Sequence, residues 1–152
     1  MVMYRKILVP LDGSETSEAV LPHAAALAKC TGARITLLRV ITQPMYEAVF
    51  GDMTLHRTSA APDTMNSRSH AEGYLQRVVF DYFENNDDAV AYDVCAGPVA
   101  ETIMEYAASI EADLIAMSTH GRSGLARMMI GSVADEIVRR SNLPVLLVRP
   151  EE

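Results

Sequence analysis

The stretch KILVPLDGSETSEAVLPHAAALAKCTGARITLLRVI, residues 6–41, holds a strand, a helix and a second strand in unbroken succession. Its first element is the short apolar run KILVPL, residues 6–11, which Asp12-Gly13 ends. From Ser14 the period changes, and Val20, Ala24, Leu27 and Ala28 share one face of a helix. Asp12 with Glu15 is one candidate capping pair for that helix, and Ser14 is the other candidate cap. Pro22 stands inside the helical pattern, where it removes a hydrogen bond, so a local irregularity is expected there. Thr31-Gly32 closes the helix. RITLLRVI, residues 34–41, follows as a strand rich in β-branched residues and leucine.

The same alternation runs through the rest of the chain. A helix is expected over about 66–84, with Ala71, Leu75, Val78, Val79 and Tyr82 on one face, then a strand over 89–96. Gly97-Pro98 breaks the chain, and Pro98 suits the first position of the next helix, whose stripe is Val99, Ile103, Tyr106, Ala107 and Ile110. DLIAM, 113–117, reads as the fourth strand, 132–140 as the last helix, and LPVLLVRP, 143–150, carries the fifth strand. Short continuous apolar strands separated by amphipathic helices indicate a parallel sheet covered on both faces. Right-handed crossovers reduce the possible topologies to a few, of which a three-layer open sheet fits best. Neither an internal repeat nor a second domain is evident, so residues 1–152 read as a single domain. One segment breaks the pattern: TQPMYEAVFGDMTLHRTSAAPDTM, 42–65, is a long irregular loop without clear periodicity. It reads either as an insertion with one short helix near 46–50 or as a flap over a ligand or partner.

Composition narrows the function. The formal net charge is −7, with 20 acidic against 13 basic residues, which argues against a binder of nucleic acid polymers but leaves room for a small anion. The two cysteines, Cys30 and Cys95, form no CxxC pair, so metal and redox motifs have no support and reduced thiols in a cytoplasmic chain are expected. No apolar run reaches the length of a membrane span, and no secretory signal pattern opens the chain, so no membrane association is expected.

The chemistry concentrates in STHGRSGLARMMIGSVADEIV, residues 118–138, which leaves the carboxyl end of the fourth strand. Ligands of open parallel sheets bind there, where the strand order reverses. Ser132 and Asp135 form an S-x-x-D capping pattern at the start of the last helix. The first amides of that helix lack internal partners and carry the positive end of its dipole, which makes an anion site. Gly131 would let phosphate oxygens approach the backbone, Gly121 would permit a turn on the other side, and His120, Arg122 and Arg127 would add charge. The competing reading is a loop whose glycines only satisfy turns. A P-loop is excluded because the loop has no lysine, and a dinucleotide fingerprint is excluded because the first turn is LDGSET.

Residues 117–150 resemble the carboxyl-terminal signature of the universal stress proteins. The family's nucleotide-binding members carry glycine, two residues, glycine, nine residues, then glycine and serine or threonine. Here Ser118-x2-Gly121-x9-Gly131-Ser132 follows that spacing, with Ser118 where the first glycine stands. The resemblance extends to ILVPLDGSE, to Gly97-Pro98 and to NLPVLLVRP, and covers nearly the whole chain outside 42–65. It implies a single three-layer α/β unit: an open, five-stranded parallel sheet in Rossmann-like order 3-2-1-4-5 with helices on both faces.

It also implies a site for adenine nucleotide, ATP or AMP, with Mg2+ as a candidate companion. Pro10, Leu11 and Asp12 would line base and ribose, with Asp12 either a ribose acceptor or only a helix cap. Val40 and Met117 would contact the adenine, or serve only as core. Gly121, Arg122, Gly131, Ser132 and Val133 would wrap the phosphates, beside His120, although capping and phosphate binding compete for Ser132. Ser118 would either crowd the ligand or donate to it, and family members without nucleotide make a nucleotide-free dimeric interaction module the alternative. The family pairs its last strand with a twofold mate, so a homodimer through 144–149 is expected. His23, His56, His70 and His120 are scattered and no acid–base pair is evident, so the chain is expected not to be an enzyme, with slow ATP hydrolysis at most.

Overall fold

A computed structural model of the chain describes residues 2–42, 68–83, 88–120 and 130–151. Five strands, β1 (Lys6–Pro10), β2 (Arg34–Ile41), β3 (Val90–Ala96), β4 (Leu114–Ser118) and β5 (Val145–Val148), form one sheet in the order β3-β2-β1-β4-β5. Every neighbouring pair is parallel. The helices among the described residues are α1 (Glu15–Glu18), α2 (Leu21–Thr31), α3 (Arg68–Phe83), α4 (Val99–Ser109) and α5 (Ser132–Arg140). The expected open three-layer sheet, its strand order and its two-sided helical cover are all present. The loop at 42–65, apart from Thr42, lies outside the described residues, as do Asn66, Ser67 and Glu84 at the ends of the third helical segment.

Alternation along each strand divides the apolar residues between two cores, as the period of two requires. Ile7, Val9, Ile35 and Leu37 meet Leu21 and Ala24 of α2 and Ala71, Leu75 and Val78 of α3. On the opposite face Leu8, Leu38 and Ile115 meet Ala100, Ile103 and Ala107 of α4 and Ala134 and Ile137 of α5.

The irregularity at Pro22 is a break. The expected single helix from Ser14 is two, because Pro22 has no N–H to give the Glu18 carbonyl. The chain ends α1 at Glu18 and restarts at Leu21, with the proline in the first turn of α2. Ser14, not the Asp12–Glu15 pair, caps α1: its Oγ accepts from Ser17 N–H at 3.1 Å. Asp12 acts one step earlier, accepting both the N–H and the hydroxyl of Ser14 on Oδ1. Pro98 is the cap of α4 and not its first helical residue, since its ψ of 129° is extended. Gly97 before it has φ 147°, and a Cβ there would stand 2.7 Å from Thr102 Oγ1, so only glycine fits this turn.

Candidate functional site

β1 pairs with β2 on one side and β4 on the other, so the chain's order reverses across it. β2 outruns β1: the last rung between them is Leu11 N–H to the Leu38 carbonyl at 2.9 Å. Beyond it Val40 and Ile41 pair only with β3 in the sheet. The gap so created, closed below by β1 and flanked by β4 and α5, is a cleft of about 280 Å³. It lies at the carboxyl ends of the strands, where open parallel sheets bind ligands.

The geometry brings together Pro10, Leu11, Asp12, Val40, Met117, Ser118, His120, Gly131, Ser132 and Val133 as cleft-lining residues. Gly121 and Arg122 lie outside the described residues, as does Arg127. The walls differ in chemistry. Val40 and Met117 belong to the core under α4 and α5, and with Val99 and Ile103 of α4 they make an apolar wall. Asp12, Ser17 and Arg39 are polar residues of the lining.

The last helix departs from its expected cap. Gly131 is the cap residue of α5, and no side-chain cap hydrogen bond forms there among the described residues. The S-x-x-D pattern does not form a capping box, because Ser132 is already the first helical residue and Asp135 begins the intrahelical bonding by donating to the Gly131 carbonyl. The amides of Ser132, Val133 and Ala134 precede that first bond, and all three residues line the cleft. The contest between capping and ligand binding at the Ser132 hydroxyl therefore does not arise.

Gly131 has a structural reason as well. Its N–H donates to the Thr119 carbonyl at 2.7 Å, and a Cβ on Gly131 would stand 2.9 Å from that same oxygen. Its bareness lets the amino end of α5 dock on the end of β4, and its own amide is already engaged. Ser118 is 5% exposed, and its Oγ accepts from His120 N–H at 3.4 Å. The hydroxyl that replaces the motif glycine is thus turned back onto its own chain. Thr119 Oγ1 lies 2.8 Å from His120 Nδ1. His120 Nε2 is buried with no hydrogen-bond partner among the described residues.

Sequence reasoning missed Arg39, Ser17, Thr42, Thr119, Val99 and Ile103, which also line the cleft. Arg39 had a signal: it is a charge inside the apolar run RITLLRVI, and it is only 6% exposed, although arginine is seldom fully buried. One of its contacts is a long hydrogen bond of 3.4 Å to the Val40 carbonyl. Thr119 had none, because its importance comes from the tertiary junction of β4, β5 and α5. Among the described residues, no group of three metal-ligating side chains is present. No helix among them is long and apolar enough to cross a membrane.

A parallel sheet in this order, with its cleft at the reversal point and an uncapped helix end in the wall, defines a three-layer α/β protein of the open-sheet type. The chain belongs to the universal stress protein family, whose model it matches over residues 3–149. It is 27% identical to universal stress protein MJ0577 of Methanocaldococcus jannaschii, covering 97% of this chain and 96% of the relative. It is 28% identical to universal stress protein MJ0531 of the same organism, covering 97% and 83%. Among solved structures, that of MJ0577 superposes with a TM-score of 0.73 at 27% identity, over 99% of each chain. UspA of Lactobacillus plantarum shares the fold with a TM-score of 0.75 at 22% identity, over 98% of this chain and 100% of that one. A universal stress protein solved in complex with cAMP shares it with a TM-score of 0.64 at 20% identity, over 99% and 100%.

Proposed function

We propose that this protein binds an adenine nucleotide, ATP or AMP, in the cleft between the ends of β1, β2 and β4, and acts as a homodimer in cytoplasmic stress response or signalling. The observation that carries the reading is the amino end of α5. Its cap is a glycine, so no capping side chain competes for the amides of Ser132, Val133 and Ala134, which line the cleft. Uncapped amides backed by a helix dipole favour a phosphate. The apolar wall of Val40, Val99, Ile103 and Met117 suits a flat base, and Asp12 suits a ribose hydroxyl. Gly121 and Arg122 complete the phosphate loop in this reading, with His120 beside it. The fold neighbour solved with cAMP holds an adenine nucleotide, which supports the ligand class. Asp12 is the only carboxylate among the described lining residues, so Mg2+ would enter with the phosphates, as it does where one carboxylate and a substrate share it.

The role in this reading is binding, with slow hydrolysis at most. β5 is at the end of the sheet order and its residues Val145–Leu147 are only half-buried, which supports pairing with a second copy through 144–149. Nucleic acid polymers and membranes are not partners in this reading.

Thermal denaturation with ATP, AMP and GTP, with and without Mg2+, tests it. A ligand at a hundredfold excess over its Kd stabilises by about 2.7 kcal/mol, which for a chain of this size is roughly 5–10 °C. An unchanged midpoint at millimolar ATP would favour the second reading, a nucleotide-free dimeric interaction module. The observation behind that alternative is Ser118, a buried side chain in the cleft wall where nucleotide-binding relatives carry glycine.

A further inference from the structure

The sheet is not covered evenly. On one face α2 packs on β1 and β2, and α3 packs on β2 and β3. The helix that packs on β5 is α5, on the other face. A groove of about 560 Å³ is left between α2 and β5, near the strand starts and away from the cleft at the strand ends. Ala26, Leu27 and Cys30 line it from α2, Val145 and Leu146 from β5, and Tyr4 at its foot. A parallel sheet ordinarily carries a helix on such a strip, since both of its faces need apolar cover.

The charge beside this groove is unbalanced. Lys6, Arg68, Arg77, Arg139 and Arg140 each pair with a carboxylate. Arg5, Lys29 and Arg34 have no such partner among the described residues, nor has Arg149 past the far end of β5. Three of these four gather at the foot of the groove. Arg5 follows the lining residue Tyr4, Lys29 precedes Cys30, and Arg34 N–H donates to the Arg5 carbonyl at 2.8 Å. Asp113, next to the lining residue Leu114, has both carboxylate oxygens engaged by the N–H groups of Arg5 and Lys6. In a chain of net charge −7 this is a local basic patch.

We propose that this groove docks an amphipathic helix of another protein, with its apolar stripe on Leu27, Val145 and Leu146 and acidic residues at the end near Arg5 and Lys29. The helical form follows from the floor, which is a sheet face and not a sheet edge. A helix with apolar residues at i, i+3, i+4 and i+7 covers such a face and keeps its polar side in water. A strand added beyond β5 would extend the sheet and leave the face as bare as before. The docking is therefore distinct from edge pairing through 144–149 and compatible with it. The acidic requirement follows from the patch. Single exposed ion pairs contribute little, but three cations without carboxylates favour an acidic partner and repel a basic one. The proposal does not depend on what the nucleotide cleft binds.

Cys30 makes the test direct, because it is an exposed thiol in the groove, while Cys95 lies on β3 at the opposite edge of the sheet. The probe is a synthetic peptide of about 18 residues, long enough to hold a helix, with leucine at i, i+3, i+4 and i+7 and glutamate on the flanks. Its counterpart has lysine for every glutamate. Labelling of each cysteine by iodoacetamide, a neutral reagent, is followed by mass spectrometry. The acidic peptide slows labelling of Cys30 by about fivefold or more and leaves Cys95 unchanged, whereas the lysine peptide changes Cys30 by less than about twofold. Arg5→Glu with Lys29→Glu, on exposed positions, reverses the preference between the two peptides, and Ala26→Glu abolishes protection by the acidic one; circular dichroism verifies that each variant is folded. The proposal is overturned if neither peptide protects Cys30, if both protect it equally, or if the charge reversal leaves the preference unchanged. It is also overturned if Cys30 of the protein alone becomes protected as concentration rises through dimer formation in sedimentation, since a second copy would then be the occupant.

Discussion

Gly131→Ala tests whether glycine is needed where α5 docks on β4. The backbone conformation is not the obstacle: φ is −58° and ψ is 154°, which alanine adopts freely. Replacing glycine there restricts the unfolded chain and would by itself stabilise by about 0.4–1 kcal/mol. Space decides the sign. The added Cβ stands 2.9 Å from the Thr119 carbonyl oxygen, a backbone atom with no rotamer to retreat into. Relief requires movement of the same oxygen that accepts the 2.7 Å hydrogen bond from Gly131 N–H. Overpacking of this kind costs about 1–3 kcal/mol, and a weakened hydrogen bond adds up to about 1 kcal/mol. The net is a loss of about 1–2 kcal/mol, or roughly 2–8 °C in melting temperature. Gly73→Ala is the internal control. Gly73 is an exposed position of α3 where a Cβ meets nothing within 4 Å, so the change stabilises by about 0.5–1 kcal/mol. Calorimetry on the two variants should move the melting temperature in opposite directions. A Gly131→Ala protein that melts at or above the parent, while Gly73→Ala behaves as stated, would refute the close-approach reasoning.

Ser118→Gly should change ATP affinity by less than about threefold while lowering stability by about 0.5–1 kcal/mol, because the hydroxyl already serves His120 N–H and strand glycine is unfavourable; titration and chemical denaturation check the two halves. Burial, then the nearby Asp93 carboxylate, pushes the Tyr106 phenol up from 10.0 to about 12, so the native state holds that proton more tightly than the unfolded chain. The associated stability is complete below pH 10 and is lost as pH rises toward 12; Tyr74, raised by burial and by Glu18, adds to the same alkaline loss. Tyr106→Phe should flatten part of the decline in denaturation midpoint over that range. Asp113 accepts from Arg5 N–H at 2.8 Å and Lys6 N–H at 3.0 Å, fastening the start of β1 beside β4, and Asp113→Ala should cost about 1–2 kcal/mol by urea denaturation.

Most of the fold was legible because each strand is a short apolar run and each helix repeats every three to four residues, as in Ala71, Leu75 and Val78 of α3. What failed were the junctions. The break before Pro22 follows from a hydrogen bond that the proline removes, and the shift of the α4 start by one residue from the extended ψ of Pro98; a pattern of apolar positions registers neither. The span 132–140 of α5 was read correctly, but its cap was misassigned because S-x-x-D satisfies a capping pattern on paper, whereas Gly131 holds the cap position and Ser132 is already helical. The glycine spacing indicated where the cleft forms, but not the wall of Ser17, Arg39 and Thr119, since those residues come together only through strand register. Arg39 could have been questioned from its charge alone.

Because Thr119 N–H rests on Val148, the final residue of β5, the site and the sheet's outer edge share one proton. Deuterium uptake at that single amide is therefore a built-in gauge: it quickens when the edge peels away and slows when a mate clamps it. The same linkage runs inward, so events at the rim reach the imidazole through one threonine, and occupancy of the cleft should be readable at the rim.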